Sequence, residues 1–200
     1  MICAVIAILA ARQQWRFQYI EMRRPLAFMH HNVSLSHAVS GTVKVQMLDV
    51  EFTAKFAISE KGWYRIEGNG YLYIGNKRGY FVFDQGAQRC VRSNVPPDLL
   101  PFVPGFESLV CETPRYEQVS SPTNARFLNQ LCKKIGIRSG KQFITLYLDG
   151  LTSMPKGWES KTANATVRGE YTLTNPGEMP ESTFDWIPPP GALDRAGPES

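Results

Sequence analysis

The stretch GTVKVQMLDVEFTAKFAISEKGWYRIEGNGYLYIGNKRGYFVFDQGAQRCVR, residues 41–92, decides the fold. Val43, Val45 and Met47 alternate with Thr42, Lys44 and Gln46, and Phe52, Ala54, Phe56 and Ile58 alternate with Thr53 and Lys55. Period-two runs continue at Trp63–Glu67, Tyr71–Gly75, Tyr80–Asp84 and Gln88–Arg92. Between them stand the turn formers Glu60-Lys61-Gly62, Gly68-Asn69-Gly70, Gly75–Gly79 and Asp84-Gln85-Gly86. Strands this short, joined by turns this tight, predict an antiparallel meander.

Working outward, the pattern stops where prolines accumulate. Residues 94–122 hold six of them (Pro96, Pro97, Pro101, Pro104, Pro114 and Pro122). Each removes a backbone donor, so the stretch reads as a long connection, with a helical turn at Pro97–Val103 and the placing of a lid or rim. A helix is predicted next. Ser121 caps it, Pro122 takes its first position, Phe127, Leu128, Leu131, Cys132 and Ile135 form its apolar stripe, and Gly136 stops it. Strands resume at Phe143–Leu148, Val167–Thr174 and Thr183–Ile187, before Pro188-Pro189-Pro190-Gly191 ends the pattern. Ala11–Arg24 reads as a further helix. The fold class expected is therefore α+β, mainly β: a curved antiparallel half-barrel sheet packed on one to three helices.

Composition narrows the function. At 43% hydrophobic and 20% charged, the 200 residues suit one ordered domain with tails. No apolar run reaches 18 residues, so no membrane span is expected. Of the net charge of +4, +3 falls in residues 12–36, leaving the body without the basic stripe that phosphate recognition needs. Nucleic acid is not an expected partner. Met1–Ala11 (MICAVIAILAA) resembles a secretory leader, and Asn32-Val33-Ser34 and Asn164-Ala165-Thr166 are glycosylation sequons, so Asn32 and Asn164 are expected glycan sites on a secreted or luminal route. Cys90, Cys111 and Cys132 lie 21 residues apart, which suits one disulfide and one free thiol. Cys90–Cys111 is the pair expected, and a pairing with Cys132 stays open. The domain boundaries expected are a leader at 1–11, a partly helical segment at 12–39, a half-barrel at 40–190 and a flexible tail at 191–200.

Chemistry is sparse. The sequence contains no nucleophile elbow, no phosphate loop, no dinucleotide fingerprint and no zinc-protease motif. His30, His31 and His37 precede the meander and read as loop histidines, and Asp49, Glu51, Glu60, Glu67 and Asp84 read as solvated turn residues without calcium-loop spacing. A Cys90–His37 nucleophile pair has no local support. No catalytic residue, metal or cofactor is assigned.

Aromatic residues stand out instead. Trp63, Tyr64, Tyr71, Tyr73, Tyr80, Phe81 and Phe83 crowd 21 residues and fall on both faces of the predicted sheet. Tyr71 and Tyr73 share one face with Leu72 and Ile74 opposite, and Phe81 and Phe83 oppose Tyr80 and Val82. A sheet apolar on both faces needs cover on both, or one face lines a cavity, or one forms an interface between copies.

Three segments carry a family resemblance: Ser40–Val45, Trp63–Glu67, and Tyr80–Asp84 leading to Cys90. So does the end, Pro180–Pro189, with Phe184 ahead of Pro188-Pro189. Over residues 40–190 the chain resembles the lipoprotein-carrier-like half-barrel superfamily, and most of all its ependymin-related secreted branch. No cysteine follows the terminal Pro-Pro, and no lipobox cysteine follows the leader, so the chain is not read as a lipoprotein. The resemblance implies a non-enzymatic binder of a lipid or other hydrophobic small molecule. The lining residues expected are Trp63, Tyr71, Tyr73, Phe81 and Phe83. The alternative is an extracellular interaction protein whose aromatic face makes a homodimer or matrix contact.

Overall fold

A computed structural model describes residues 37–95, 97, 102–104, 106, 117–139, 142–161, 165–174 and 179–192. Among the described residues twelve strands form one sheet: β1 (Ala38–Met47), β2 (Val50–Ser59), β3 (Tyr64–Gly68), β4 (Tyr71–Asn76), β5 (Gly79–Asp84), β6 (Arg89–Ser93), β7 (Glu117–Gln118), β8 (Thr123–Phe127), β9 (Gln130–Ser139), β10 (Gln142–Leu148), β11 (Pro155–Lys161) and β12 (Thr166–Thr174). Their order is β6-β5-β4-β3-β2-β1-β12-β11-β10-β9-β7, with β8 also paired to β9. The strand pairings among the described residues are antiparallel, and β1 and β12 join the two halves from Ser40↔Thr174 to Met47↔Val167.

Turn chemistry explains the first half. Asn69 and Gly70 both take positive φ (53° and 79°), the backbone of a two-residue hairpin turn whose twist matches its strands. The Asp84 carboxylate accepts the Gly86 and Ala87 N–H groups at 2.9 Å and shapes the link to β6.

The expected fold class is overturned in its helices. Among the described residues the only helical element is a 3₁₀ turn, Glu181–Thr183, and no helix packs on the sheet. The segment predicted as a helix, Pro122–Ile135, is the β8–β9 hairpin, reversing at Leu128 and Asn129 with φ of 48° and 64°. Leu128 and Leu131, assigned to a buried stripe, are 47% and 74% exposed. Ser121 and Pro122 cap nothing. They follow a bulge in which the Gly136 N–H donates to Ser120 Oγ at 2.6 Å and the Val119 N–H donates to the Gly136 carbonyl at 2.9 Å. Gly136, the expected stop, is a mid-strand residue lying under the Phe143 ring. The strand expected at Thr183–Ile187 is also absent, replaced by the 3₁₀ turn and an extended strap. Ala11–Arg24 lies outside the described residues.

The strap closes the outer face of the first half. Trp186 packs on Phe81 and Phe83 with centroids 5.9 and 5.6 Å apart. The Asn76 side-chain amide donates to the Phe184 carbonyl at 2.8 Å, and the Cys90 N–H donates to the Ala192 carbonyl at 2.6 Å. The second half has its own outer cluster, with Phe127 stacked on Tyr147 at 4.6 Å. The Tyr147 hydroxyl donates to Glu159 Oε2 at 3.0 Å, and burial together with Glu159 pushes it up to about 12.

Type I′ turns favour Asn-Gly, and a leucine in left-handed backbone costs on the order of 1–2 kcal/mol. The double change Leu128→Asn, Asn129→Gly is expected to raise stability by about 1 kcal/mol, read as a higher urea midpoint. A lower midpoint is what a helix here would give, since glycine in a helix interior costs about 1 kcal/mol.

Candidate functional site: the concave aromatic face

β6 and β7 are consecutive in the chain and lie at opposite ends of the sheet order. Their connection has to cross a face. Its described part does so on the face that carries Val39, Val43, Phe56, Ile58, Ile66, Ile135, Leu146 and Trp158, where Phe102, Val103 and Phe106 are buried. The sheet bends around them. β4 and β12 are four strand spacings apart, roughly 19 Å across a flat sheet. Yet Phe102 packs its ring at a tilt against Tyr73 of β4, centroids 5.2 Å apart, and takes a hydrogen bond on its carbonyl from Tyr171 of β12 at 3.3 Å.

Two ring systems hold the crossover. Phe56, Phe106 and Tyr171 form a triangle with sides of 5.6, 5.6 and 5.8 Å. Tyr71, Tyr73, Phe102 and Phe52 form a row with spacings of 6.2, 5.2 and 6.1 Å, leading from the exposed edge of the face inward. Each such pair adds about 0.5–1.5 kcal/mol beyond area burial. Flat rings also need room beneath them. A Cβ on Gly169 would sit 2.1 Å from the Trp158 indole nitrogen, and one on Gly75 2.3 Å from the Tyr64 ring.

Electrostatically the face is neutral. Ser59 is the only polar or charged side chain recorded as buried among the described residues, and it lies outside this cluster. Burial, and then Tyr71, push the Tyr73 hydroxyl up, so it stays protonated. Two polar side-chain atoms lie within this face. The Tyr171 hydroxyl is occupied by the Phe102 carbonyl, and the buried Trp158 indole N–H has no acceptor among the described residues.

The five expected lining residues do not share a face. Strand register settles each. Ile66↔Tyr73↔Val82 places Tyr71 and Tyr73 on the concave face, while Ile74↔Phe81 and Leu72↔Phe83 place Phe81 and Phe83 on the outer one, under the strap. Trp63 stands just before β3 and meets Phe184 of the strap at 6.4 Å. Residues that the sequence reading missed carry much of the concave face: Phe52, Phe56, Phe102, Phe106, Trp158 and Tyr171.

Other candidates fall apart as clusters. Cys90 is buried in β6 and Cys132 in β9, toward opposite ends of the sheet, so they do not pair. The Cys132 thiol is free and pushed up by burial. Cys111, Asn32, Asn164, His30 and His31 lie outside the described residues. His37 binds Glu60 at 2.8 Å, Glu51 binds Lys44 at 3.0 Å and Glu67 binds Arg65 at 3.5 Å. Among the described residues no three His, Cys, Asp or Glu side chains converge on a metal position, and no helix is long and apolar enough to cross a membrane.

No protein-family model and no curated protein matches the sequence. Among solved structures the chain is similar to MucB, at 12% identity over 81% of this chain and 62% of that one, with a TM-score of 0.44. It therefore spans less than two thirds of MucB. It is also similar to a LolA superfamily protein from Nitrosomonas europaea (8% identity, 83% and 98% of the two chains, TM-score 0.43). A third is LprF from Mycobacterium bovis (11% identity, 80% and 96%, TM-score 0.41). The ependymin-related resemblance finds no support among these neighbours.

The Tyr171 hydroxyl ties the sheet to the crossover through the Phe102 carbonyl. Tyr171→Phe keeps the ring triangle and leaves a buried carbonyl unmet, so it is expected to cost about 1–3 kcal/mol in urea unfolding. An unchanged midpoint would mean that the Phe102 carbonyl is served by water.

Proposed function

We propose that the protein is a non-enzymatic binder of a hydrophobic small molecule with an oxygen acceptor at one end, such as a fatty acid or acyl ester, held on the concave face. One observation carries this reading: the apolar residues of this face, Val43, Ile66, Leu146 and Trp158 among them, are buried with Phe102, Val103 and Phe106 of a chain crossover packed on them, and among the described residues no helix lies over them. A sheet face of this kind is stable only when covered. A few rings on a connecting segment are cover that a ligand can replace, while a second layer is not. The crossover also has the composition of such a ligand, apolar groups followed by a carbonyl on Tyr171. The Trp158 N–H offers a second donor to a carboxyl or ester. Tyr71 and Tyr73, partly exposed at the open edge, form the entry. An extracytoplasmic location, through the expected leader, belongs to the same reading.

The test is saturation binding of the fluorescent fatty acid cis-parinaric acid, with native mass spectrometry of the gently purified protein. One ligand per monomer is expected. Tyr73→Ala is expected to weaken binding about tenfold, the equivalent of about 1.4 kcal/mol, while Leu131→Ala, on an exposed side chain, leaves it unchanged. No saturable binding, with an empty protein running as a dimer, would overturn the reading in favour of a face buried between copies.

A further inference from the structure

The outer side of the sheet carries a cleft that the concave-face reading does not use. It encloses about 560 Å³, inside the range of small-molecule pockets, and lies between the start of β1, the β2–β3 turn and the strap. Its walls are fixed by short-range bonds. The Ser59 N–H donates to the Trp63 carbonyl at 2.8 Å, the Gly62 N–H to the Ser59 carbonyl at 3.0 Å, and the Trp63 N–H to Ser59 Oγ at 3.2 Å. The Glu60 N–H donates to the His37 carbonyl at 3.0 Å. On the far wall the Asn76–Phe184 hydrogen bond and the Arg78–Asp185 ion pair at 3.5 Å hold the strap.

The chemistry inside is of one kind. Trp63 and Phe184 make an aromatic corner, their planes 60° apart. Two carboxylates, Glu60 and Glu181, stand against one ammonium, Lys61, and the His37 imidazole, which meets Glu60 at 2.8 Å. That ammonium already sits as a ligand cation would: 4.9 Å from the centre of the Trp63 ring and ion-paired to Glu181. The arrangement is self-occupied. Lys61 and Glu181 are each more than half exposed, so water screens their pair and it yields easily. A cation on an aromatic face is held by the negative face of the ring, more strongly as water is excluded.

We infer that this cleft binds an organic cation, an ammonium head carrying an apolar body, which displaces Lys61 from Trp63, pairs with Glu181 and Glu60, and lays its body against Phe184. The inference stands apart from the proposed function, because the two sites lie on opposite faces of the sheet.

The probe is choline, compared with its neutral carbon isostere 3,3-dimethylbutan-1-ol. Both are titrated into the full chain and followed by the indole N–H signals, with Trp63 assigned from a Trp63→Phe variant. Choline is expected to shift the Trp63 signal saturably and leave that of the core Trp158 in place, with the isostere at least tenfold weaker. Lys61→Met removes the resident cation and is expected to tighten choline binding several-fold, while Glu181→Gln weakens it. Trp63→Leu is expected to abolish binding with the Trp158 signal retained as the marker of an intact fold. Equal binding of the isostere, no binding of either, or weaker choline binding by folded Lys61→Met would overturn the inference. None of these outcomes bears on fatty-acid binding, which is read separately.

Discussion

The chain leaves the sheet at one edge, after β6, and re-enters at the other, at β7. That single topological demand organises the molecule. A connection across a sheet buries backbone whose polar groups need partners, and it brings side chains over the middle of the face. The sequence meets both requirements in one place. Prolines remove donors that would otherwise go unmet, and Phe102, Val103 and Phe106 supply the apolar cover. Tyr171 satisfies a carbonyl at the crossing point. The bend of the sheet, the packing of Phe56 and Tyr73, and the candidate ligand surface all follow from that passage.

The two faces then do different work. The concave face is broad and apolar, and Phe102, Val103 and Phe106 of the crossover are buried against it. The outer face is divided: the strap seals the first half through Trp186, while Phe127, Tyr147, Glu159 and Arg168 cover part of the second. Sealing by a strap leaves a seam where it passes the β2–β3 turn, and the cleft around Trp63 is that seam. The described sheet thereby packs an apolar core on one side and carries a polar, aromatic-lined recess on the other.

The meander β1–β6 was legible because its turns carry their own chemistry: Asn69-Gly70 needs no tertiary help to reverse the chain. The β8–β9 hairpin was not. Its turn is Leu128-Asn129, weak as a signal, and its apolar residues happen to fall at three- and four-residue spacing. Read with period two, Ile135 and Ile137 share the buried face across Gly136, which is a strand glycine roofed by Phe143. β11 begins at Pro155, a tolerated position at the start of a strand but one that hides the strand from pattern reading. The aromatic crowd of 63–83 was visible, and its division between faces was not, because face parity resets at every turn. Only the register Tyr73↔Val82 shows that Tyr73 and Phe81 point opposite ways. Phe102 and Phe106 lay outside any periodic run, so nothing local marked them as core.

The central claim is that the crossover occupies the concave face and yields it to a ligand. The direct measurement is a set of nuclear Overhauser contacts between the Phe102 ring and the rings of Tyr73 and Phe52, recorded without ligand and at saturating fatty acid. The account predicts strong contacts in the empty protein, in line with spacings of 5.2 and 6.1 Å, and their loss as ligand contacts to Tyr73 appear. Contacts that persist unchanged while fatty acid binds would contradict it, because the crossover would then be permanent core and the ligand would lie elsewhere.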